Sequence, residues 1–154
     1  PDGEYRVHLL FRAIPPAQPA VQTPADFKGI GFALTPIYGV TIPVIVRLGN
    51  LEATAGISQV ALTQAEGRPA IALQLSRSGS RSTFGEIRVT RPGVPEPLAV
   101  QKGIAVYTEL TERSVVLPLD DKVAASAAGP VTVEYIETTD GVSRTLASTQ
   151  AVLR

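Results

Sequence analysis

His8 is the sole histidine in the chain and cysteine is absent. No histidine- or cysteine-based metal site and no complete Ser-His-Asp or Cys-His arrangement can therefore be assembled. His8 falls among the polar-face residues of its segment, where a surface or structural role is the expectation. The acids Glu52, Glu66, Glu109 and Glu112 do not repeat at the spacing of a calcium loop, so neither a metal nor a cofactor is expected. The richest basic run is SRSGSRSTFGEIRVTR, which gathers Arg77, Arg81, Arg88 and Arg91 around small residues. It lacks the lysine and fixed spacing of a phosphate-binding loop, and it offers almost no aromatic side chain for stacking on a base. Solvated strand edges and a loop are the expected reading. Tyr107 and Tyr135 alternate with Val106 and Val133, which makes them packing residues. An enzyme is the weakest class for this sequence.

What remains is a stretch able to act through its backbone and apolar side chains: Thr35–Leu48, TPIYGVTIPVIVRL. At period two, Tyr38, Val40, Ile42, Val44, Val46 and Leu48 share one face, and Ile37, Gly39, Thr41, Pro43, Ile45 and Arg47 the other. This predicts a long strand with one unbroken apolar side. Pro43 cannot donate a ladder hydrogen bond, so pairing along both edges is disfavoured and the strand belongs at a sheet edge. Long apolar edges are ordinarily shortened, charged or covered, and here only Pro43 and Arg47 blunt the strand. Two readings stand open. Either the edge is kept for another chain, or the even-numbered residues are core and a local segment covers them.

The elements around that stretch are strands. Gly 13 and Pro 13 are scattered between short Val/Ile/Leu runs, and basic and acidic residues balance at 14 each. The composition points to an all-β protein with no overall field drawing it to nucleic acid or an anionic membrane. No apolar run is long enough to span a bilayer, so membrane insertion is not expected. The segment EYRVHLLFR alternates Tyr5, Val7, Leu9 and Phe11 against Glu4, Arg6, His8 and Arg12, and Pro15-Pro16 end it. Residues 15–31 read as a long, mobile loop. Beginning with Pro1 and too short to bury both faces of a sheet, residues 1–49 read as the last two strands of a truncated domain. Residues 50–154 read as a complete one, with strands near 57–64, 69–76, 84–90, 98–101, 104–109, 113–118, 131–138 and 144–153. Turns are expected at Glu66-Gly67, Ser78-Gly79-Ser80, Pro92-Gly93, Asp120-Asp121, Gly129-Pro130 and Asp140-Gly141. About seven or eight short strands in about one hundred residues fit an immunoglobulin-like sandwich. Residues 122–129 suit either one helical turn or a plain connection.

DGEYRVHLLFRAIPP, a proline-rich loop, a long alternating strand ending VIVR and a second immunoglobulin-like unit together resemble the periplasmic pilus-assembly chaperones of the PapD-like family. The resemblance covers nearly the whole chain and is most specific in residues 2–16 and 36–47. It implies a non-enzymatic periplasmic protein that holds pilus subunits by donor-strand complementation and delivers them to an outer-membrane usher. Its exposed edge would also be open to self-association. In such a complex the subunit lacks its final strand, and the chaperone's long strand fills the groove. Aligning Arg47 with the family's closing arginine puts Tyr38, Val40, Ile42 and Val44 in the donor positions. Full burial of four such side chains is worth roughly 6–12 kcal/mol before ordering costs. The resemblance further implies an interdomain ionic cluster of Glu4, Arg47 and Asp140, in which a guanidinium bridges two carboxylates. One departure is plain: four residues before Arg47, where the family carries a lysine that anchors the subunit's terminal carboxylate, this sequence has Pro43. The competing expectation is an immunoglobulin-like adhesion or surface-binding module in which the long strand is ordinary core.

Overall fold

A computed structural model of the 154-residue chain describes residues 1–16, 28–29, 34–124 and 127–154. Most of the loop expected over 15–31 lies outside the described residues. The described residues are all-β apart from one helical turn. Its strands are β1 (Gly3–Arg12), β2 (Gly39–Leu48), β3 (Ala53–Ala65), β4 (Arg68–Gly79), β5 (Thr83–Thr90), β6 (Ala99–Val106), β7 (Glu112–Pro118), β8 (Gly129–Thr139) and β9 (Val142–Leu153), with α1 at Asp121–Ala124. Two compact units result. One comprises Pro1–Glu4 and Arg47–Arg154, the other Tyr5–Val46. The ends of β1 and β2 thus pack with the larger unit, a few residues inside the division expected at 49/50.

The larger unit contains a three-stranded sheet, β3-β4-β7, and a four-stranded sheet, β6-β5-β8-β9. Every pairing assigned in them is antiparallel. Alternation decides which side chains face inward. Ile71, Leu73 and Leu75 of β4 join Val115 and Leu117 of β7 from one sheet. Ile87 and Val89 of β5, Ile104 and Val106 of β6, Val131, Val133 and Tyr135 of β8 and Leu153 of β9 come from the other, making a single core cluster. Two layers over one core are consistent with a β-sandwich. The buried Tyr135 hydroxyl donates to the Ile104 carbonyl at 2.9 Å, which satisfies the polar end of the largest core side chain. Burial pushes this phenol's pKa up.

Two of the expected turns are two-residue hairpins. Glu66-Gly67 (φ 52° and 77°) joins β3 to β4, and Asp140-Gly141 (φ 52° and 80°) joins β8 to β9. Positive φ at both central residues is the type I′ requirement that Gly meets without strain. Elsewhere the structure differs from the pattern. The two strands expected at 98–101 and 104–109 are one strand, β6, interrupted by a bulge. Gly85 faces Ile104 while Ile87 faces Gln101, so Lys102 and Gly103 together oppose Glu86. The extra residue breaks the alternation and imitates a turn. Gly129-Pro130, expected as a turn, opens β8. Pro130 is tolerated because β5 pairs with β8 only from Thr132 onward, leaving Pro130 with one neighbour, Val152 of β9. Asp120 caps α1, its Oδ1 accepting the Lys122 N–H at 3.0 Å.

β1 and β2 make a two-stranded sheet, most of whose residues form the smaller unit. The Ala13 N–H donates to the Tyr38 carbonyl at 2.8 Å at the loop end, and Glu4 meets Arg47 at the other. Both strands are ten residues long. The Ala13–Tyr38 bond and the Glu4–Arg47 pair both fit one antiparallel register, in which opposed residue numbers add to 51. Residues directly opposite share a face, so Tyr5, Val7, Leu9 and Phe11 lie beside Val46, Val44, Ile42 and Val40. That face is wholly apolar.

Candidate functional site

Among the described residues β1 is the only ladder partner of β2. Backbone groups of alternate residues in an antiparallel strand turn to opposite edges. The Tyr38 carbonyl turns to β1, and Val40, Ile42, Val44 and Val46 follow. Gly39, Thr41, Pro43, Ile45 and Arg47 then present their backbone groups at the outer edge. Pro43 thus removes a donor from the edge without a partner, and the β1 ladder loses nothing. This parity explains how a proline sits in the middle of a ten-residue strand.

The expected donor positions are not enclosed. Tyr38 is 73% exposed, Val40 58% and Ile42 47%, while Val44 is half-buried. Roughly half the apolar surface of these side chains is still in water, so about 3–6 kcal/mol remains to be gained by covering all four. Tyr5, Val7, Leu9 and Phe11 on the same face of β1 are also exposed. A contiguous apolar surface of this kind marks a place where something else packs. Chemically the edge can do two things: pair with an added extended segment through backbone hydrogen bonds, and bury alternate apolar side chains.

At the Arg47 end lies an ionic cluster within the larger unit. Arg47 Nε donates to Glu4 Oε2 at 2.9 Å, and the same oxygen accepts the Ser82 N–H at 3.0 Å. Arg47 Nη2 also reaches Ser82 Oγ at 3.4 Å. The Glu4 side chain is only 3% exposed, whereas Arg47 is 42% exposed. Burial alone would push the Glu4 carboxyl up, but the hydrogen bonds from Ser82 and Arg47, with Arg47's charge, together bring its pKa below the usual value. Beside it, Arg81 grips Glu137 through two parallel bonds of 2.8 and 2.9 Å, both side chains 14% exposed. This pairing, helped by the Glu4 charge, raises the Arg81 pKa.

Glu4 and Arg47 are therefore brought together, while Asp140 stands exposed in the β8–β9 turn. Ser82, Arg81 and Glu137 are the members that sequence reasoning did not pick. The signal for Arg81 and Ser82 was present in SRSGSRSTFGEIRVTR, but a basic run among small residues reads equally well as a wet loop. Arg88 pairs with Glu86, and Arg91 donates to the Ala128 carbonyl at 3.2 Å. His8 is exposed on β1. Among the described residues no three potential metal-ligating side chains cluster, and no helix is long and apolar enough to cross a membrane.

The Glu4 site has a pH consequence. A carboxyl whose folded pKa is lowered contributes stability that is fully present above its unfolded value and lost as pH falls through the folded one. Glu4→Gln is expected to cost about 1 kcal/mol at neutral pH, a modest figure because solvent screens the exposed Arg47. It should also flatten the acid limb of stability below the usual carboxylate pKa. Urea titrations of both proteins from neutral to acid pH check this, and parallel acid limbs would contradict it.

No family model matches the chain, and no curated protein or solved structure matches it.

Proposed function

We propose that this chain is a strand-donating chaperone of the PapD-like type, holding pilus subunits in the periplasm and passing them to an outer-membrane usher. On this reading residues 50–154 are an immunoglobulin-like domain, with β3 to β9 taking the places of strands A, B, C, C′, E, F and G. Residues 1–49 are the closing strands of the domain that precedes it. β2 inserts Tyr38, Val40, Ile42 and Val44 into the groove of a subunit lacking its own last strand, and its outer edge supplies the hydrogen bonds. Glu4 and Arg47 tie the ends of β1 and β2 to Ser82, and the neighbouring acid Glu137 pairs with Arg81, not with Arg47.

The observation that carries the proposal is the state of β2: ten residues, one ladder partner among those described, and apolar side chains about half in water. Co-expression with a pilus subunit that lacks its final strand tests it. The chain should recover soluble subunit, and Val40→Asp or Ile42→Asp should abolish recovery while leaving the circular dichroism of the larger unit unchanged. Equal recovery by these variants would remove the donor assignment.

A further inference from the structure

Pro43 occupies the one kind of position on β2 where it cannot disturb β1 and can only disturb an incoming strand. We infer that Pro43 blocks pairing between two copies of this chain along the outer edge of β2, and so keeps that edge open to a foreign strand. A second copy would approach antiparallel about a twofold axis, pairing residues whose numbers add to a constant. That constant is even, because the outward residues are odd-numbered. With β2 spanning Gly39–Leu48, the fullest overlaps have sums of 86 and 88. The first sets Pro43 against Pro43, and both bonds of the central pair are missing. The second sets Pro43 against Ile45 twice, by symmetry, and each pair loses one bond. Either way a self-pair forfeits two hydrogen bonds at its centre and leaves the facing carbonyls without donors. A foreign strand meets a single proline and loses one bond, whose acceptor can be left to water or set in a bulge. Symmetry thus doubles the penalty against self-pairing, the hazard that an apolar edge most invites.

The inference rests on the proposed strand-donating role of β2 and is tested on the full chain by sedimentation velocity across a wide concentration range. Pro43→Ala restores the missing donor at an exposed position and is expected to self-associate at least about tenfold more tightly than wild type. Moving the proline along the same edge, in Pro43→Ala/Thr41→Pro, should return association to the wild-type level. An unchanged constant for Pro43→Ala, or association that persists in the double variant, would overturn the inference. The two readings fail separately. Loss of self-blocking in Pro43→Ala with no subunit recovered by wild type would leave the proline block standing and sink the chaperone assignment. Subunit recovery that depends on Val40, with Pro43→Ala no stickier than wild type, would do the reverse.

Discussion

Arg77→Ala is expected to lower unfolding stability by about 3–5 kcal/mol, a large share of what a domain of this size possesses. Arg77 continues the inward alternation of Ile71, Leu73 and Leu75 and is 8% exposed. Its guanidinium reaches carbonyl oxygens in two connections. Nη1 donates to Gly79 at 2.8 Å and to Arg81 at 3.0 Å, Nε donates to Leu110 at 3.2 Å, and Nη2 donates to Thr108 at 3.3 Å. The Arg77 N–H itself bonds the Thr111 carbonyl at 2.7 Å. One side chain therefore ties the β4–β5 connection to the β6–β7 connection at one end of the core. Removing it leaves carbonyls without donors and a cavity where the stem packed. Arg77→Met separates the two effects: it restores most of the volume but no donor, so it should recover only part of the loss. Urea midpoints for the two variants provide the check, and a loss under about 1 kcal/mol in Arg77→Ala would contradict the assignment.

Gly85→Ala is expected to cost about 3 kcal/mol or more, an effect of backbone overlap. A Cβ at this position would overlap the Ile136 carbonyl oxygen and come within 2.8 Å of its carbon and 3.2 Å of the Glu137 N–H nitrogen. These are main-chain atoms of β8, which cannot swing aside as a flexible side chain would. The close approach falls next to the β5–β6 bulge and immediately before Glu137, whose carboxylate holds Arg81. Forcing β5 from β8 should therefore also displace the Arg81–Glu137 pair. Thermal unfolding, with amide exchange at Glu137 as the local readout, tests this. A wild-type melting temperature would refute it.

Much of this architecture is legible because sheets obey parity. The runs 71-73-75, 87-89, 131-133-135 and 115-117 each announce an inward face, and Glu66-Gly67 and Asp140-Gly141 announce their hairpins. Parity fails where a strand breaks its own rhythm. The bulge at Lys102-Gly103 turned one strand into an apparent two, and Pro130 looked like a turn because the point where β5 stops pairing is a tertiary fact. Charge misleads in a related way. Arg77 obeys the inward alternation, yet a guanidinium reads as solvated until the carbonyls around it are seen. Charge spacing alone did not pair Glu4 with Arg47, which only the resemblance implied; the two meet because the ends of β1 and β2 lie side by side. Glu137 was out of reach, because the β8 register decides which acid meets Arg81. For β2, alternation reveals an apolar side but not whether that side is covered.

In the proposed strand-donating role, the outer edge of β2 is open in the free chain and becomes paired when a subunit is bound. Amide hydrogen exchange at Thr41 and Ile45 measures this most directly, because their N–H groups turn outward while those of Val40, Ile42 and Val44 turn to β1. In the free chain Thr41 and Ile45 should exchange rapidly beside slower inward neighbours, and in complex with a subunit lacking its last strand both should become protected. Protection of Thr41 and Ile45 already in the free chain, or fast exchange of both within the complex, would contradict the account.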